Sequence, residues 1–340
     1  MSIHNCLESF KNYLLKTNSD TSFLSENFIG LRKEDFEVLK GKEETLKYYS
    51  NITSIENIEF VPEDSHFLMF YDANEKHYIT KIRFDEDELV LSLVTEIYDE
   101  SKAQAVLEVE YDGSNYNGMQ KQSLMPHTTI QGQIELALKK MLNRDVNTII
   151  SSRTDARVHA RGNIVQFDAN GIKPNKYIYA LNNILPDDIR IKDAKLRSQL
   201  FHARYDVIEK TYIYIIDTST FSVFKNDYVY YTKVKDTQKL KEELHSIIGT
   251  HDFKAFCKGE NDNTVRTIYN ADLTINGSEL ILTFTANGFL HNMIRFIVGA
   301  LLDSVNNDKP SLLELTEKQD KNLTPKLAPA SGLYLIKIKY

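Results

Sequence analysis

The stretch SSRTDARVHARGNIVQFD, from Ser151 to Asp168, sets a single carboxylate, Asp155, among Arg153, Arg157, His159 and Arg161. Neighbouring cations hold a carboxylate in its charged form, and a charged carboxylate can act as a nucleophile or a base. The stretch reads as a loop between two strands, VNTIISS and GNIVQFDA, and loops on a rigid scaffold are where function usually sits. A turn shaped by Thr154 and Asp155, with solvent-facing arginines, would have the same residues. Local sequence therefore leaves both readings open.

Other residues could complete or refute such a site. In FLHNMIRFIVG, Arg295 lies on a predicted helix whose remaining face is apolar: Phe289, Met293, Phe296, Ile297 and Leu301. An arginine at the edge of a buried helix often only extends its charge to water, unless it meets an unpaired acid such as Asp155. His291 reads as a hydrogen-bonded packing residue, because no second His or Cys stands at metal-ligand spacing. Tyr212 and Tyr214 alternate in TYIYII and so share one strand face. With 19 Tyr and no Trp, tyrosine is the obvious polar aromatic for stacking on a base. YDGSNYNGM holds two turn glycines and matches neither the Walker nor the dinucleotide-binding pattern. Nothing here calls for a metal or a cofactor.

The elements that must position these residues divide at IYDESKAQA, near residue 100. Before it, HNCLESFKNYLLK and GKEETLKYYSN read as amphipathic helices, and HFLMFYD, HYITKIRF and LVLSLVTEIY as antiparallel strands with polar turns. That predicts a small α+β domain over 1–100, and ENFIGLRKEDFEVLKGKEE resembles the opening of nuclear-transport-factor-2-like cone folds. A second domain over 101–340, in halves of roughly 101–205 and 206–340, mixes strands with four helices. These are TTIQGQIELALKKMLN, capped by Thr128 or Thr129, KPNKYIYALNNILP, QKLKEELHSIIG and FLHNMIRFIVGALLDSV. Without strict βαβ alternation, the class is α+β with mixed and antiparallel sheets.

Composition narrows the setting. At 340 residues the chain exceeds the usual span of one core. It has no apolar run long enough for a bilayer, and MSIHNCLESF lacks the features of a secretory leader. Cys6 and Cys257 form no ligand pattern, so a reduced, cytoplasmic protein is expected. The net charge of −7 is uneven. Residues 1–100 hold 10 Lys+Arg against 21 Asp+Glu, a balance of −11; of the chain totals of 41 and 48, that leaves 31 and 27, or +4, to residues 101–340. An acidic front joined to a mildly basic remainder permits a nucleic-acid partner for the latter, since basic patches are local.

Taken in order, EYDGSNYNGMQKQ, TTIQGQIELAL, SRTDARVHARGNIVQF, LNNILPDDIRI, FHARYDVIEKTYIYII, HDFKAF, RTIYNADL, NGFLHNMIRFIVG and APASGLYL resemble the tRNA pseudouridine synthase A family over about residues 105–340. The resemblance implies the pseudouridine synthase fold, two similar α/β halves around a central cleft, in a homodimer with tRNA bound across both subunits. It implies isomerisation of uridine on the 3′ side of the anticodon stem-loop, tRNA positions 38–40, without cofactor or metal. By the same resemblance Asp155 is the catalytic aspartate and Arg153 acts at the flipped-out nucleotide. Tyr212 packs against the target base, and Arg295 pairs with the catalytic carboxylate. Arg157, His159, Arg161, Tyr111 and Lys121 fall to RNA contact.

Three positions depart from the family pattern. Ser152 and Arg157 stand where glycine is usual, so the loop is expected to be shaped differently and Arg157 to reach RNA. Met119 stands where Trp is common. The acidic residues 1–100 are an addition, expected to lie away from RNA. An RNA-binding protein or chaperone that kept the fold and lost catalysis is the alternative, and an independent binding module over 1–100 a third possibility.

Overall fold

The computed structural model describes residues 2–33, 37–52, 54–169, 171–258, 263–318 and 325–340. They fall into two compact units: Met1–Gln104 with Ala169–Gly171 and Arg197–Phe201, and the remainder.

In the first unit, helix α1 (Ile3–Leu14) starts where the Ser2 hydroxyl accepts from the amide of Asn5, and it buries Cys6, Leu7, Phe10 and Leu14 at helical spacing. Strands β1 (Gly30–Arg32) and β2 (Val38–Lys40) precede α2 (Gly41–Asn51). Then come β3 (Ile55–Glu63), β4 (His66–Ala73), β5 (Lys76–Phe84) and β6 (Val90–Ile97). The sheet runs β2-β1-β6-β5-β4-β3. Phe10, Phe23, Tyr71, Met69 and Ile82 lie in its core. Strand β3 was not expected. Its alternation is broken by a register shift between Glu56 and Glu59, with Asn57 at positive φ, and by Pro62 near its end. Residues 34–36 of the stretch that resembles cone folds lie outside the described residues.

The second unit is built on one sheet. Its strands are β7 (Gln104–Tyr111), β8 (Ile149–Ile150), β9 (His159–Asp168), β10 (Ile189–Arg197), β11 (Glu209–Asp217), β12 (Tyr230–Tyr231), β13 (Gly249–Asp252), β14 (Val265–Asn276), β15 (Glu279–Ala286) and β16 (Leu333–Lys339). Its helices are α3 (Ile130–Leu142), α4 (Pro174–Asn182), α5 (Thr237–Ser246), α6 (Met293–Asn307) and α7 (Leu312–Lys318). The order β10-β7-β9-β16-β11-β15-β14-β13, with β8 on β9 and β12 on β11, makes it continuous through both expected halves. They join where β16 pairs with β9 in parallel, Tyr334 opposite His159. Most other ladders are antiparallel, so the sheet is mixed.

The helices follow their sequence signals. Of the two expected caps for α3, Thr129 does the capping, its hydroxyl accepting from the amide of Gly132. Asp236 caps α5 through the amides of Gln238 and Lys239. Helix α6 buries eleven residues, and Arg295 is the one charged residue in its apolar first turns, from Met293 to Leu302. Among the described residues no helix is long and apolar enough to cross a membrane.

Candidate active site

Asp155 occupies the loop between β8 and β9, and this loop rests on the one after β7. There the YDGSNYNGM glycines serve close packing. A Cβ at Gly113 would stand 2.1 Å from the carbonyl oxygen of Val158, and one at Gly118, where φ is +95°, 2.8 Å from that of Thr154. The amide of Met119 donates to the Thr154 carbonyl at 3.0 Å, and that of Arg157 to the Tyr116 carbonyl at 3.2 Å. Backbone thus lies directly on backbone on both sides of Asp155.

Side chains fix the loop from within. Tyr111 is buried, and its hydroxyl meets the Thr154 hydroxyl at 2.7 Å and accepts from Asn163 Nδ2 at 3.1 Å. Asn163 Nδ2 also donates to the Ser152 carbonyl at 3.0 Å. Burial raises the Tyr111 phenol to about 12. His159 is likewise inside. Its Nδ1 accepts from the amide of Gly113 at 3.2 Å, and its Nε2 lies 2.9 Å from the Asp227 carbonyl, which suits a donor. Burial lowers the pKa of this ring, although Asp112 beside it pulls the other way. Both residues fell to RNA contact in the sequence. Their side chains are instead turned inward, because the loop's own polar groups need partners where water is excluded.

The two replaced glycine positions have specific geometries. Ser152 is buried, and its hydroxyl meets the Tyr212 hydroxyl at 2.7 Å. Arg157 takes the backbone conformation a glycine would take, with φ at +67°, and its Nη2 donates to Asp227 Oδ1 at 2.5 Å. The left-handed backbone is kept and the new side chain reaches across to residue 227. Met119 is fully buried, in keeping with a packing role.

Asp155 itself is 20% exposed and divides its oxygens between two partners. Oδ2 accepts from Arg295 Nη1 at 3.2 Å, while Oδ1 faces His291 Nε2 at 3.5 Å. Arg295 is anchored as well as charged. Its Nε donates to the Ala328 carbonyl at 2.8 Å and its Nη1 also reaches Asn292 Oδ1 at 3.2 Å. The arginine at the edge of the apolar helix meets the lone acid of the loop. Tyr212 lies on β11 beside a register shift against β16 between Thr211 and Tyr212, a bulge of the kind that re-aims side chains near sites. It is 6% exposed, packs edge-on against Phe289 with centroids 5.2 Å apart, and burial pushes its phenol far above the ordinary range.

Asp155, His291 and Arg295 line a cleft of about 690 Å³ whose cations are Arg157, Lys258 and Arg295, while the buried Tyr212 is not part of its lining. Among the described residues lining it, Asp155 is the only acid. A chain of net charge −7 can therefore still present a local positive wall. The other expected contacts lie differently. Arg153 and Arg161 are exposed and do not line this cleft, and Lys121 is paired with Glu135 at 2.6 Å. Among the described residues no group of three or more His, Cys, Asp or Glu is placed to hold a metal ion.

Sequence reasoning did not single out Lys258, Asn226, Asp227 or Lys210. Lys258 closely follows the HDFKAF stretch, which was a usable pointer. Asn226 and Asp227 belong to none of the motifs quoted above. Lys210 is two residues before Tyr212 on the same strand; its ammonium donates to the Ser151 carbonyl at 2.8 Å, and burial pushes it down to about 8.

Comparison with known proteins gives this arrangement a context. A sequence model described as tRNA pseudouridine synthase matches residues 108–206 and 244–340. A tRNA pseudouridine synthase A of Exiguobacterium sibiricum is 41% identical over 239 residues, 68% of this chain and 94% of that protein. A tRNA pseudouridine synthase A 1 of Bacillus cereus is 40% identical over 240 residues, 68% of this chain and 96% of its own length. One from Caldicellulosiruptor bescii is 40% identical over 242 residues, covering 69% and 98%. Among solved structures, an H/ACA RNP bound to a substrate RNA containing 2′-deoxyuridine matches 59% of this chain and 53% of that chain. Its 13% identity and TM-score of 0.24 are too slight to carry a statement of fold. With relatives matched over nearly their full length, and the family match spanning the loop of Asp155 and the helix of Arg295, the chain belongs to the tRNA pseudouridine synthase family.

Proposed function

We propose that this chain isomerises uridine to pseudouridine in tRNA, on the 3′ side of the anticodon stem-loop, with Asp155 as the catalytic carboxylate. The observation that carries the reading is the lone acid of a cationic cleft, in contact with Arg295 at 3.2 Å, in a member of this family. Ser152 and Arg157 raised the alternative of a protein that had lost catalysis. Both replacements leave the contact between Asp155 and Arg295 in place.

The chemistry suits these residue types. The N1–C1′ bond breaks with its electron pair going to uracil, the base turns, and C5 joins C1′. Nothing is oxidised or reduced. An ionised carboxylate can attack the sugar or take a proton from it as the bond opens. Arg295 orients that carboxylate, and the aromatic ring of Tyr212 backs the base. Extruding a nucleotide costs a few kcal/mol, of which contact with an aromatic ring recovers roughly 1–3 kcal/mol. Arg153, Arg157 and Lys258 are suited to phosphates, and their contribution falls as salt rises.

The same reading includes a homodimer and a cytoplasmic setting, in keeping with Cys6 and Cys257 both being buried. It assigns catalysis to the second unit and an accessory role to the acidic first unit. Release of tritium from tRNA labelled at uridine C5 tests the activity. Asp155→Asn is expected to keep tRNA binding and to lose turnover by about 10⁴ or more. Turnover near that of the unaltered protein would refute the assignment.

A further inference from the structure

Joining C5 to C1′ leaves C5 with a hydrogen that must depart before the base regains its conjugation, so some group in the cleft must take that proton. The group needs a lone pair, access to substrate, and a position close to the sugar carbon that Asp155 faces.

Few residues qualify. Arginine does not give up its proton in proteins, and a charged lysine has no lone pair, which removes Arg157, Arg295 and Lys258. The Tyr212 hydroxyl is buried and bonded to Ser152, and burial opposes its ionisation. His291 remains beside Asp155. Its ring is 57% exposed, in contrast to the buried His159, and it lines the cleft. Its Nε2 is 3.5 Å from Asp155 Oδ1, on the oxygen that Arg295 leaves open. The main chain beneath it is pinned. Lys258 donates its amide to the His291 carbonyl at 3.3 Å, and Asn292 is held at φ +63° just before α6.

Resting on the functional reading above, we propose that His291 is the base that removes the C5 proton. As C5 bonds to C1′, the uracil ring carries an N1=C6 double bond and a tetrahedral C5. The Nε2 lone pair takes the C5 proton, and the C5–H electron pair reforms the C5=C6 bond. The N1=C6 pair moves onto N1, which takes a proton from water. The exposed imidazolium returns its proton to water, so the product is an isomer with no atom gained or lost.

The test uses the full chain with tRNA carrying either hydrogen or deuterium at uridine C5, comparing the unaltered protein with His291→Ala and His291→Gln. Both variants are expected to bind tRNA within a few-fold of the unaltered protein. Turnover is expected to fall by about 10²–10⁴, the usual contribution of a positioned base. The C5 isotope effect should grow in both, and added imidazole should restore part of the rate of His291→Ala. Turnover that does not fall, or an isotope effect that does not grow, would overturn the proposal and leave Asp155 as the base. Loss of tRNA affinity in both variants would overturn it too, since the ring would then serve binding. Failure of the functional reading is separate: the unaltered protein would form no pseudouridine.

Discussion

Arg157 holds a backbone conformation its side chain disfavours, and that makes its energetics separable. At φ +67° the left-handed region costs a residue with a Cβ roughly 1–2 kcal/mol. The pair with Asp227 offsets little of this. Its side chains are 55% and 45% exposed, and such pairs are worth about 0.2–1 kcal/mol. Arg157→Ala removes the pair and keeps the strained Cβ. Arg157→Gly removes both, but a freer unfolded chain opposes it by roughly 0.4–1 kcal/mol. Comparing the two variants cancels the lost pair. What remains is the conformational penalty less the glycine entropy, about 0.5–1 kcal/mol in favour of glycine.

Native-state hydrogen exchange at the slowest amides of β9 measures this difference within the second unit, apart from unfolding of the first. Arg157→Gly is expected to be the more stable of the two and within about 0.5 kcal/mol of the unaltered chain. An alanine variant as stable as the glycine variant would refute the reasoning, because the positive φ at 157 would then carry no cost.

Two further outcomes follow from charges the fold leaves in unusual settings. Lys210, pushed down to about 8 by burial, has its ammonium charged in both folded and unfolded chains below pH 8, and the burial cost is then fully present. Between about pH 8 and 10.4 the folded chain gives up this proton first, so the stability of the unaltered protein relative to Lys210→Met should rise with pH, by up to roughly 3 kcal/mol. A difference that stays flat over that interval, in urea titrations at stepped pH, would contradict it. Asp227→Asn releases the Arg157 guanidinium from its carboxylate. tRNA affinity at low salt should rise and the logarithmic salt slope steepen by up to about 0.7–0.9, read from filter binding across a salt series; an unchanged slope would mean Arg157 meets no phosphate.

What the residues disclosed in advance followed the range of the interaction involved. Helices α3, α5 and α6 were legible because their apolar spacing is local, as is the threonine cap of α3: each is written within a few residues of what it determines. The loop of Asp155 was legible as chemistry for the same reason. Strand β3 was not, since a register shift and a proline hide its period. One apparent strand also shrank. VNTIISS, read as a strand, pairs only at Ile149 and Ile150, because a strand needs a partner ladder as well as propensity. The contacts of Tyr111 and His159 depend on which backbone groups the folded loop leaves inside, and no local pattern encodes that.

The meeting of Asp155 with Arg295, 140 residues apart, is the least local feature, and strand direction accounts for it. Asp155 precedes β9, and the segment Ala328–Ser331 precedes β16. Because β16 runs parallel to β9, with Tyr334 opposite His159, both preceding segments emerge at the same end of the sheet. The second segment is then gripped from the other half of the unit. Arg295 Nε holds the Ala328 carbonyl at 2.8 Å, and the Tyr214 hydroxyl holds that of Pro329 at 2.8 Å. An antiparallel β16 would send that segment to the far end and leave Arg295 without its anchor. Arg295 would then be held only through Asn292, and Asp155 would be only the turn residue its neighbours also allowed. The parallel ladder of β16 with β9 is thus what turns a solitary acid into half of an ion pair at the edge of a cleft.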